Sequence, residues 1–264
     1  SLLAYIAGAF LKKKFKTALL NPLLISIILS IVVLVTADID YDVYNPEKDK
    51  HLEKAYNIKN FRKNKVANKL ALQKELGLPV DKSQFVLGII SRLTDQKGLD
   101  LVDAVMNEIC QDGVQFVVLG TGDQRYEDMF RYYQGIHPAK VSANIYFSDA
   151  LSHKMYGGCD AILVPSRFEP CGLTQLMALR YGSLPIVRET GGLKDTVIPY
   201  DEYNQSGTGF SFANYDAQEL LNTINYAKEV FYNHKKEWEA MQVRAMEQDY
   251  SWNTSAKRYE DLYR

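Results

Sequence analysis

The 264-residue sequence has little net charge and few cysteines, and each shortage excludes a class of function. Its 31 basic and 32 acidic residues leave a net charge of −1, and no basic stripe with interleaved aromatic residues suggests nucleic-acid binding. We therefore expect no nucleic-acid partner. The three cysteines, Cys110, Cys159 and Cys171, are odd in number and lack metal-ligand spacing. Free thiols in a reducing compartment are expected, rather than a disulfide framework.

Histidines and paired aspartates are also scarce. None of the four histidines has a sequence neighbour that suggests a catalytic triad or a metal site, and His153 is expected on a helix surface. No metal-binding pair of aspartates is apparent. The sequence therefore predicts neither a metal nor another cofactor.

What the sequence does contain, from residue 59 onward, is an alternation of apolar runs with helical patterns. Strands are predicted at Phe85–Ile90, Val114–Leu119, Ile145–Phe147, Ile162–Pro165, Leu184–Val187 and Gly209–Phe212. Helices are predicted at Lys59–Leu76, Leu173–Tyr181, Asp216–Asn233, Lys236–Gln248 and Thr254–Leu262, with a capping box at Asp216 and Glu219. This alternation predicts an α/β fold with right-handed crossovers and a parallel sheet.

The segment Val164–Leu176, VPSRFEPCGLTQL, joins a predicted buried strand to a predicted helix. A helix that begins just after Gly172 presents unpaired backbone N–H groups and the positive end of its dipole, which favour an anion. Glu169, in the turn before it, can accept hydrogen bonds from sugar hydroxyls. Together these features suit a phosphorylated sugar. In the alternative interpretation, Glu169 only caps the helix or pairs with Arg167.

A cationic segment, SRLTDQKG, follows the predicted strand Phe85–Ile90. It places Arg92 and Lys97 at the carboxyl end of a parallel strand, where ligands bind in open α/β sheets. An arginine can contact a diphosphate through two hydrogen bonds, and a lysine adds a compact charge. Cations next to a helix start are often merely solvated, so the two residues indicate a site only in combination with the Glu169 turn.

Taken together, three segments resemble a known family: SRLTDQKGLD, LGTGD and SRFEPCGLTQLMALRYGSLPIVRETGGLKDTV. They are similar to bacterial glycogen synthases and plant starch synthases, and the similarity runs from about Ile39 to Arg264. The resemblance implies a Rossmann-like parallel sheet, the C-terminal domain of a two-domain, GT-B-type retaining glycosyltransferase. It also implies transfer of glucose from ADP-glucose to the non-reducing end of an α-1,4-glucan, without a metal ion.

The resemblance also implies roles for individual residues. Arg92 and Lys97 would stabilise the departing diphosphate, and Glu169 would hold the glucose hydroxyls. Phe147 would stack on adenine, although an aromatic residue at a strand end more often belongs to the core. Thr190–Leu193, TGGL, supplies a second glycine turn that could approach the sugar or phosphates. The full set of expected substrate-binding residues is Gly122, Phe147, Pro170, Cys171, Gly172, Leu173 and Thr174.

The family's first domain, with its lysine–glycine–glycine motif and glucan-acceptor surface, has no counterpart in this sequence. We therefore expect only the nucleotide-sugar-binding half, with the glucan bound through the missing domain. The lack of a starting Met fits a fragment or a processed product. Residues 38–80 would form a connecting loop and helix, and residues 81–264 the Rossmann-like domain with its C-terminal helices.

Residues 1–37 form an apolar leader. Thr17–Ala37 is free of charge and long enough to span a bilayer, four lysines precede it, and Val35–Ala37 permits a signal-peptide interpretation. Because nothing in residues 1–36 resembles the family, a non-native or frame-shifted leader is favoured. A membrane anchor and an apolar helix packed on the domain remain open. The expected location is cytoplasmic, with membrane association only through residues 17–37.

Three functions stay open at this point. The chain is the donor half of a glycogen synthase, a catalytically silent nucleotide-sugar-binding module, or a membrane-tethered scaffold. ADP-glucose is expected over UDP-glucose on the resemblance alone.

Overall fold

The computed structural model describes residues 39–111, 113–251 and 254. The chain divides into one unit of Tyr41–Gln248 and another of Ser1–Asp40 with Asp249–Arg264. The predicted leader and, beyond Thr254, the predicted last helix lie outside the described residues. Within the second unit, the Asp249 carboxylate accepts hydrogen bonds from the Ser251 amide at 2.9 Å and the Thr254 hydroxyl at 2.6 Å.

In the part of the chain that the structure describes, six parallel strands form one sheet. The strands are β1 (Phe85–Ile90), β2 (Val114–Leu119), β3 (Val141–Asn144), β4 (Ala161–Val164), β5 (Leu184–Arg188) and β6 (Phe210–Phe212). Their order is β3-β2-β1-β4-β5-β6. The chain thus winds outward from β1 in one direction and, after returning to β4, outward in the other. This is the doubly wound Rossmann order, and it confirms the predicted fold class.

Helices alternate with the strands and complete the fold. They are α1 (Phe61–Glu75), α2 (Leu99–Gln111), α3 (Gln124–Ile136), α4 (Asp149–Gly158), α5 (Thr174–Arg180), α6 (Gly191–Thr196), α7 (Ala217–Asn233) and α8 (Lys235–Met246). A short 3-10 helix, Asp95–Lys97, precedes α2. Across the ranges 39–111 and 113–251, no helix is long and apolar enough to cross a bilayer.

Helix boundaries follow the sequence signals closely. The helix predicted at Lys59–Leu76 is α1, and the chain leaves it through Gly77 at φ +69°, a conformation that glycine adopts without strain. The predicted capping box is half formed. The Asp216 side chain accepts a hydrogen bond from the Glu219 amide, but Glu219 accepts the amide of Asn214 rather than that of Asp216.

The strand predicted at Ile145–Phe147 is wrong. The strand is Val141–Asn144, which pairs with Phe116–Leu119 of β2. The carbonyl of Asn144 accepts the last hydrogen bond of this ladder, from the Gly120 amide at 3.1 Å. The apolar residues that follow lie past the end of β2, so no neighbouring strand remains to pair with them. Phe147 is 89% exposed.

The expectation that His153 lies on a helix surface is also wrong, since this residue of α4 is only 2% exposed. Its Nδ1 lies 2.7 Å from Oδ2 of Asp49, which also accepts the Tyr181 hydroxyl at 2.5 Å. The ring of Tyr44 stacks on the imidazole, with centroids 4.7 Å apart. The irregular segment before α1 therefore covers α4 and buries a polar cluster of Tyr44, Asp49, His153 and Tyr181.

Candidate functional site

The candidate site lies at the carboxyl edge of the sheet, where the two directions of winding diverge. The loop after β1, Ser91–Gly98, and the loop after β4, Pro165–Leu173, leave neighbouring strands. Loops from such strands flank a crevice, which is where ligands bind in doubly wound sheets. The topology thus brings together the two segments that the sequence singled out, 72 residues apart in the chain.

Lys97 and Glu169 are in direct contact across this crevice. The Lys97 Nζ donates to Glu169 Oε2 at 2.5 Å, and the two side chains are 17% and 11% exposed. The hydroxyl of the buried Ser166 donates to the same carboxylate oxygen at 3.0 Å. A half-buried ion pair with an additional hydroxyl donor is held in one geometry, as a positioning group requires.

Neither alternative role of Glu169 occurs. Arg167 is directed elsewhere: its guanidinium lies 3.7 Å from the Asp100 carboxylate and 4.6 Å above the ring of Tyr215. Helix α5 takes Leu173 as its N-cap residue and has no side-chain capping bond. The carboxylate therefore faces the loop that carries Lys97 instead of serving its own helix.

Backbone hydrogen bonds tie the two loops to each other. The Arg167 amide donates to the Gln96 carbonyl at 2.9 Å, and the Gln96 side chain donates to the Phe168 carbonyl at 3.1 Å. A Cβ at Gly98 would collide with the carbonyl oxygen of Pro165, so glycine permits the close approach. The separation between Lys97 and Glu169 is thus fixed by the backbone as well as by the ion pair.

The glycine turn at Thr190–Leu193 packs behind the Glu169 turn and supports it. The Gly192 amide lies 3.2 Å from both the Glu169 and the Pro170 carbonyl oxygens. Any Cβ at Gly192 would collide with the carbonyl of Cys171, and one at Gly191 with that of Glu169. The two glycines therefore allow close backbone packing behind the Glu169 turn. Direct contact of this glycine pair with a sugar or phosphate stays a prediction.

The other predicted site residues lie at the same edge of the sheet. Arg92 is exposed on the β1 loop, and its guanidinium forms no ion pair with any residue that the structure describes. Gly122 follows β2, forms a parallel bridge with Leu93 and donates its amide to Glu127 at 3.0 Å. Phe147 follows β3 with its ring in solvent. Pro170, Cys171, Gly172, Leu173 and Thr174 form the turn and the first residue of α5.

Sequence reasoning missed two residues that hold the Glu169 turn. Ser166 binds the carboxylate, and Arg188, at the end of β5, donates to the Arg167 carbonyl at 2.8 Å. Arg188 also lies 5.4 Å from the ring of Tyr215. A signal for both was present, because each is a polar residue placed just where a buried parallel strand ends.

All three cysteines are free, as predicted. Burial raises the pKa of Cys110 to about 11 and that of Cys159 to about 12, so neither thiol is poised to act as a nucleophile. Among the described residues, no group of three histidine, cysteine or acidic side chains could hold a metal ion. A reaction without a metal remains a prediction.

Comparisons with known proteins agree with this geometry. The family model for glycosyl transferases group 1 matches residues 73–238. A second family model, the LrgB-like family, matches residues 1–52, most of which lie outside the described residues.

Curated relatives are similar over most of the chain. The glycogen synthase of Lachnospira eligens is 64% identical over 225 residues, which is 85% of this chain and 47% of that protein. The glycogen synthase of Lachnoclostridium phytofermentans is 57% identical over the same lengths. The chain spans about half the length of the curated relatives it matches.

A solved structure shows the same arrangement. The catalytic domain of starch synthase IV from Arabidopsis thaliana, bound to ADP and acarbose, is 36% identical, with a TM-score of 0.76. The match covers 86% of this chain and 47% of that one. The predicted resemblance to glycogen and starch synthases is therefore confirmed. With a family match over residues 73–238 and a doubly wound sheet of the expected order, the chain belongs to the glycosyl transferases group 1 family.

Proposed function

We propose that this chain is the donor-binding half of a glycogen synthase. The complete enzyme transfers glucose from ADP-glucose to the non-reducing end of an α-1,4-glucan, with retention at the anomeric carbon. The observation that carries the proposal is the contact between Lys97 and Glu169 at the switch point of the sheet. The glycogen synthases among the relatives and the ADP bound to the starch synthase support the same substrate class.

The cations would act on the diphosphate. A lysine ammonium has three N–H donors, so Lys97 can keep its bond to Glu169 and still contact phosphate oxygens. Arg92 adds a guanidinium that can bind two oxygens at once. As the glycosidic bond breaks, negative charge builds up on the leaving diphosphate, and each preorganised donor stabilises it by roughly 3–4 kcal/mol. Helix α5 has only seven residues, so its first amides, near Gly172–Thr174, contribute as local donors.

Glu169 would orient the glucose. Its Oε2 already accepts Lys97 and Ser166, whereas no described residue donates to Oε1. That oxygen is available for the sugar hydroxyls. A nucleophilic role is not proposed, because a double displacement of the glycosidase type uses a second carboxylate about 5 Å away. Phe147 and Gly122 would contact the adenosine part of the donor.

Calorimetric titration with ADP and ADP-glucose tests the donor site. Lys97→Ala and Arg92→Ala should each abolish measurable ADP binding, because each removes a charge that faces the diphosphate. Lys154→Ala is the matched control, since it also breaks a lysine–glutamate ion pair, at 2.7 Å to Glu75, but away from the site. Unchanged ADP affinity in Lys97→Ala would contradict the proposal. Failure of the unaltered chain to bind either ADP or ADP-glucose would also contradict it, because the chain would then be only a scaffold.

A second candidate is a module that binds the nucleotide sugar without catalysing transfer. Glucosyl transfer to a maltooligosaccharide should be measured with and without the N-terminal half of the Lachnospira eligens enzyme. Transfer only in the mixture supports the donor-half proposal. Tight ADP-glucose binding without transfer in either sample supports the silent module.

A further inference from the structure

A second cleft, of about 510 Å³, opens at the opposite, amino edge of the sheet. It lies between α1 and α8, beside the end of α7 and the loop that leads into β1. Its lining residues include the cations Arg62, Lys63, Lys65, Lys69, Lys82 and Lys235, with Phe231, Tyr232 and Trp238 as aromatic walls. None of these residues belongs to the candidate donor site.

The charge of this cleft differs from that of the chain as a whole. Six cations line it against two acids, Asp160 and Glu239, although the net charge of the sequence is −1. Each acid already has a partner: Arg62 lies 2.6 Å from Glu239, and Lys69 lies 2.6 Å from Asp160. The other four cations form no ion pair with any described residue. Positive charge is therefore concentrated in a concave surface without a protein counter-ion.

Lys65 lines the cleft, and its burial disfavours the charged form of its side chain. Its buried Nζ donates to the carbonyls of Tyr156 and Gly157, at 3.2 and 3.1 Å, and to the Ser183 hydroxyl at 2.7 Å, all of them neutral acceptors. Burial lowers the pKa of Lys65 to about 7. An anion in the cleft would stabilise the charged form that burial disfavours.

The rings of Trp238 and Phe231 are already packed and do not offer a face to a ligand. Trp238 is buried, and its ring packs 5.3 Å from that of Phe231 and 5.9 Å from that of Phe210. The Nζ of Lys69 already covers the Phe231 ring at 5.0 Å. The hydroxyl of Tyr232 is engaged by the Phe85 amide at 3.1 Å. Recognition must therefore depend on charge more than on stacking.

We propose that this cleft binds a small molecule carrying two or more phosphate groups. Its volume is typical of small-ligand sites, and the three exposed lysines without a protein counter-ion match the charge of a compact bisphosphate or oligophosphate. Lys63, Lys82 and Lys235 are exposed at the rim and reach the ligand directly. The site is separate from the donor site and does not depend on the proposed transferase activity.

The test is a calorimetric titration of the Lys97→Ala chain with inorganic pyrophosphate and without ADP, because ADP itself carries two phosphate groups and would also enter the cleft. The Lys97→Ala background removes a cation of the donor site, so the remaining binding reports the cleft. Lys235→Glu and Lys63→Glu should each weaken pyrophosphate binding roughly tenfold or more, because a charge-assisted hydrogen bond is replaced by repulsion. Lys236→Glu is the matched control, since it makes the same charge change one residue along α8 without lining the cleft.

Equal pyrophosphate affinity in Lys235→Glu and Lys236→Glu would overturn the proposal, as would a lack of saturable binding to the unmodified chain. The same pair of variants can also be compared with Lys97 in place. The contrast between Lys235→Glu and Lys236→Glu does not depend on whether the donor site binds ADP, so failure of the donor site and failure of the cleft can be told apart. Both altered lysines are exposed, and urea unfolding of each variant checks that the fold is retained.

Discussion

At the scale of single residues, the orientation of Glu169 depends on Ser166. Ser166→Ala removes one of the two donors to the carboxylate but leaves the Lys97 contact. A hydrogen bond to a charged group contributes about 1.5–3 kcal/mol, so ADP-glucose affinity should fall roughly tenfold or more while ADP affinity stays unchanged. Calorimetry with both ligands separates the two effects. Equal losses for ADP and ADP-glucose would show that Ser166 supports the loop as a whole and not the sugar-binding carboxylate.

Lys69 and Asp160 form a buried pair whose partners depend on each other. Their charged atoms are 2.6 Å apart, and the same Asp160 oxygen accepts the Val86 amide at 2.8 Å. Lys69→Met leaves a buried carboxylate without its cation and should lower the free energy of unfolding by about 3–5 kcal/mol. Urea denaturation measures this change.

The double variant Lys69→Met/Asp160→Asn is the control for that prediction. It should be less destabilised than Lys69→Met, because no uncompensated charge remains in the interior. If the double variant lost as much stability as the sum of the single variants, the two side chains would be energetically independent.

The sequence places Arg92, Lys97 and Glu169 in loops that follow predicted buried strands, and the structure has them there. Their roles in binding stay predictions. The contact between Lys97 and Glu169 was not predicted, since it depends on β1 and β4 being neighbours across 72 residues of chain. The burial of His153 was missed for the same reason, because Asp49 lies 104 residues away in sequence.

At the scale of elements, the Glu169 turn and the glycine turn before α6 act as one unit. Gly192→Ala would force the Cys171 carbonyl to move, because there is no space for a Cβ. ADP-glucose binding should fall by about tenfold or more, since a shift of about 1 Å in positioning groups has effects of this size. The variant should still fold, because the collision is confined to two surface turns.

Gly135→Ala is the matched control for Gly192→Ala. Gly135 lies in α3, where a Cβ would have open space around it, and alanine favours a helix by about 1 kcal/mol over glycine. This variant should keep full ligand affinity and unfold at a slightly higher urea concentration. Loss of ADP-glucose binding in Gly135→Ala would point to an indirect effect of glycine replacement.

The buried central strands β1 and β2 were predicted at their observed positions, whereas the edge strand β3 was not. Strands β1 and β2 are buried on both faces and read as continuous apolar runs. Strand β3 has a single neighbour and contains Ser142 and Asn144, so its composition is less apolar than that of the loop after it. Apolarity alone therefore placed the strand four residues too late.

At the scale of the whole molecule, the segment before α1 is bound to the Rossmann core by Asp49. Burial raises the pKa of Asp49, but hydrogen bonds from His153, Tyr181 and the His51 amide outweigh it and lower the pKa below the ordinary value of 3.8. Such a carboxyl adds stability that is present above its unfolded pKa and is lost as the pH falls through its folded pKa. The stabilisation from Asp49 should therefore disappear below pH 3.8.

Urea unfolding of the native chain and Asp49→Asn, at pH about 5 and about 3, measures this contribution. At the higher pH, the free energy of unfolding of the native chain should exceed that of Asp49→Asn by roughly 1–3 kcal/mol, because the variant lacks the charge-assisted hydrogen bonds. This difference between the two proteins should shrink at the lower pH. Asp103→Asn, an exposed change on α2, serves as the control and should show no such convergence. A constant difference between native chain and Asp49→Asn would exclude the proposed linkage.

Under the proposed function, the placement of Lys97 and Glu169 on loops from opposite sides of the sheet would make nucleotide occupancy report on folding. A chain with only one side of the sheet assembled would carry one half of the crevice and would gain nothing from ADP. A ligand at one hundred times its dissociation constant stabilises only the completed sheet, by about 2.7 kcal/mol. The nucleotide would thereby draw partly folded chains toward the finished domain, coupling supply of the donor to the amount of competent protein.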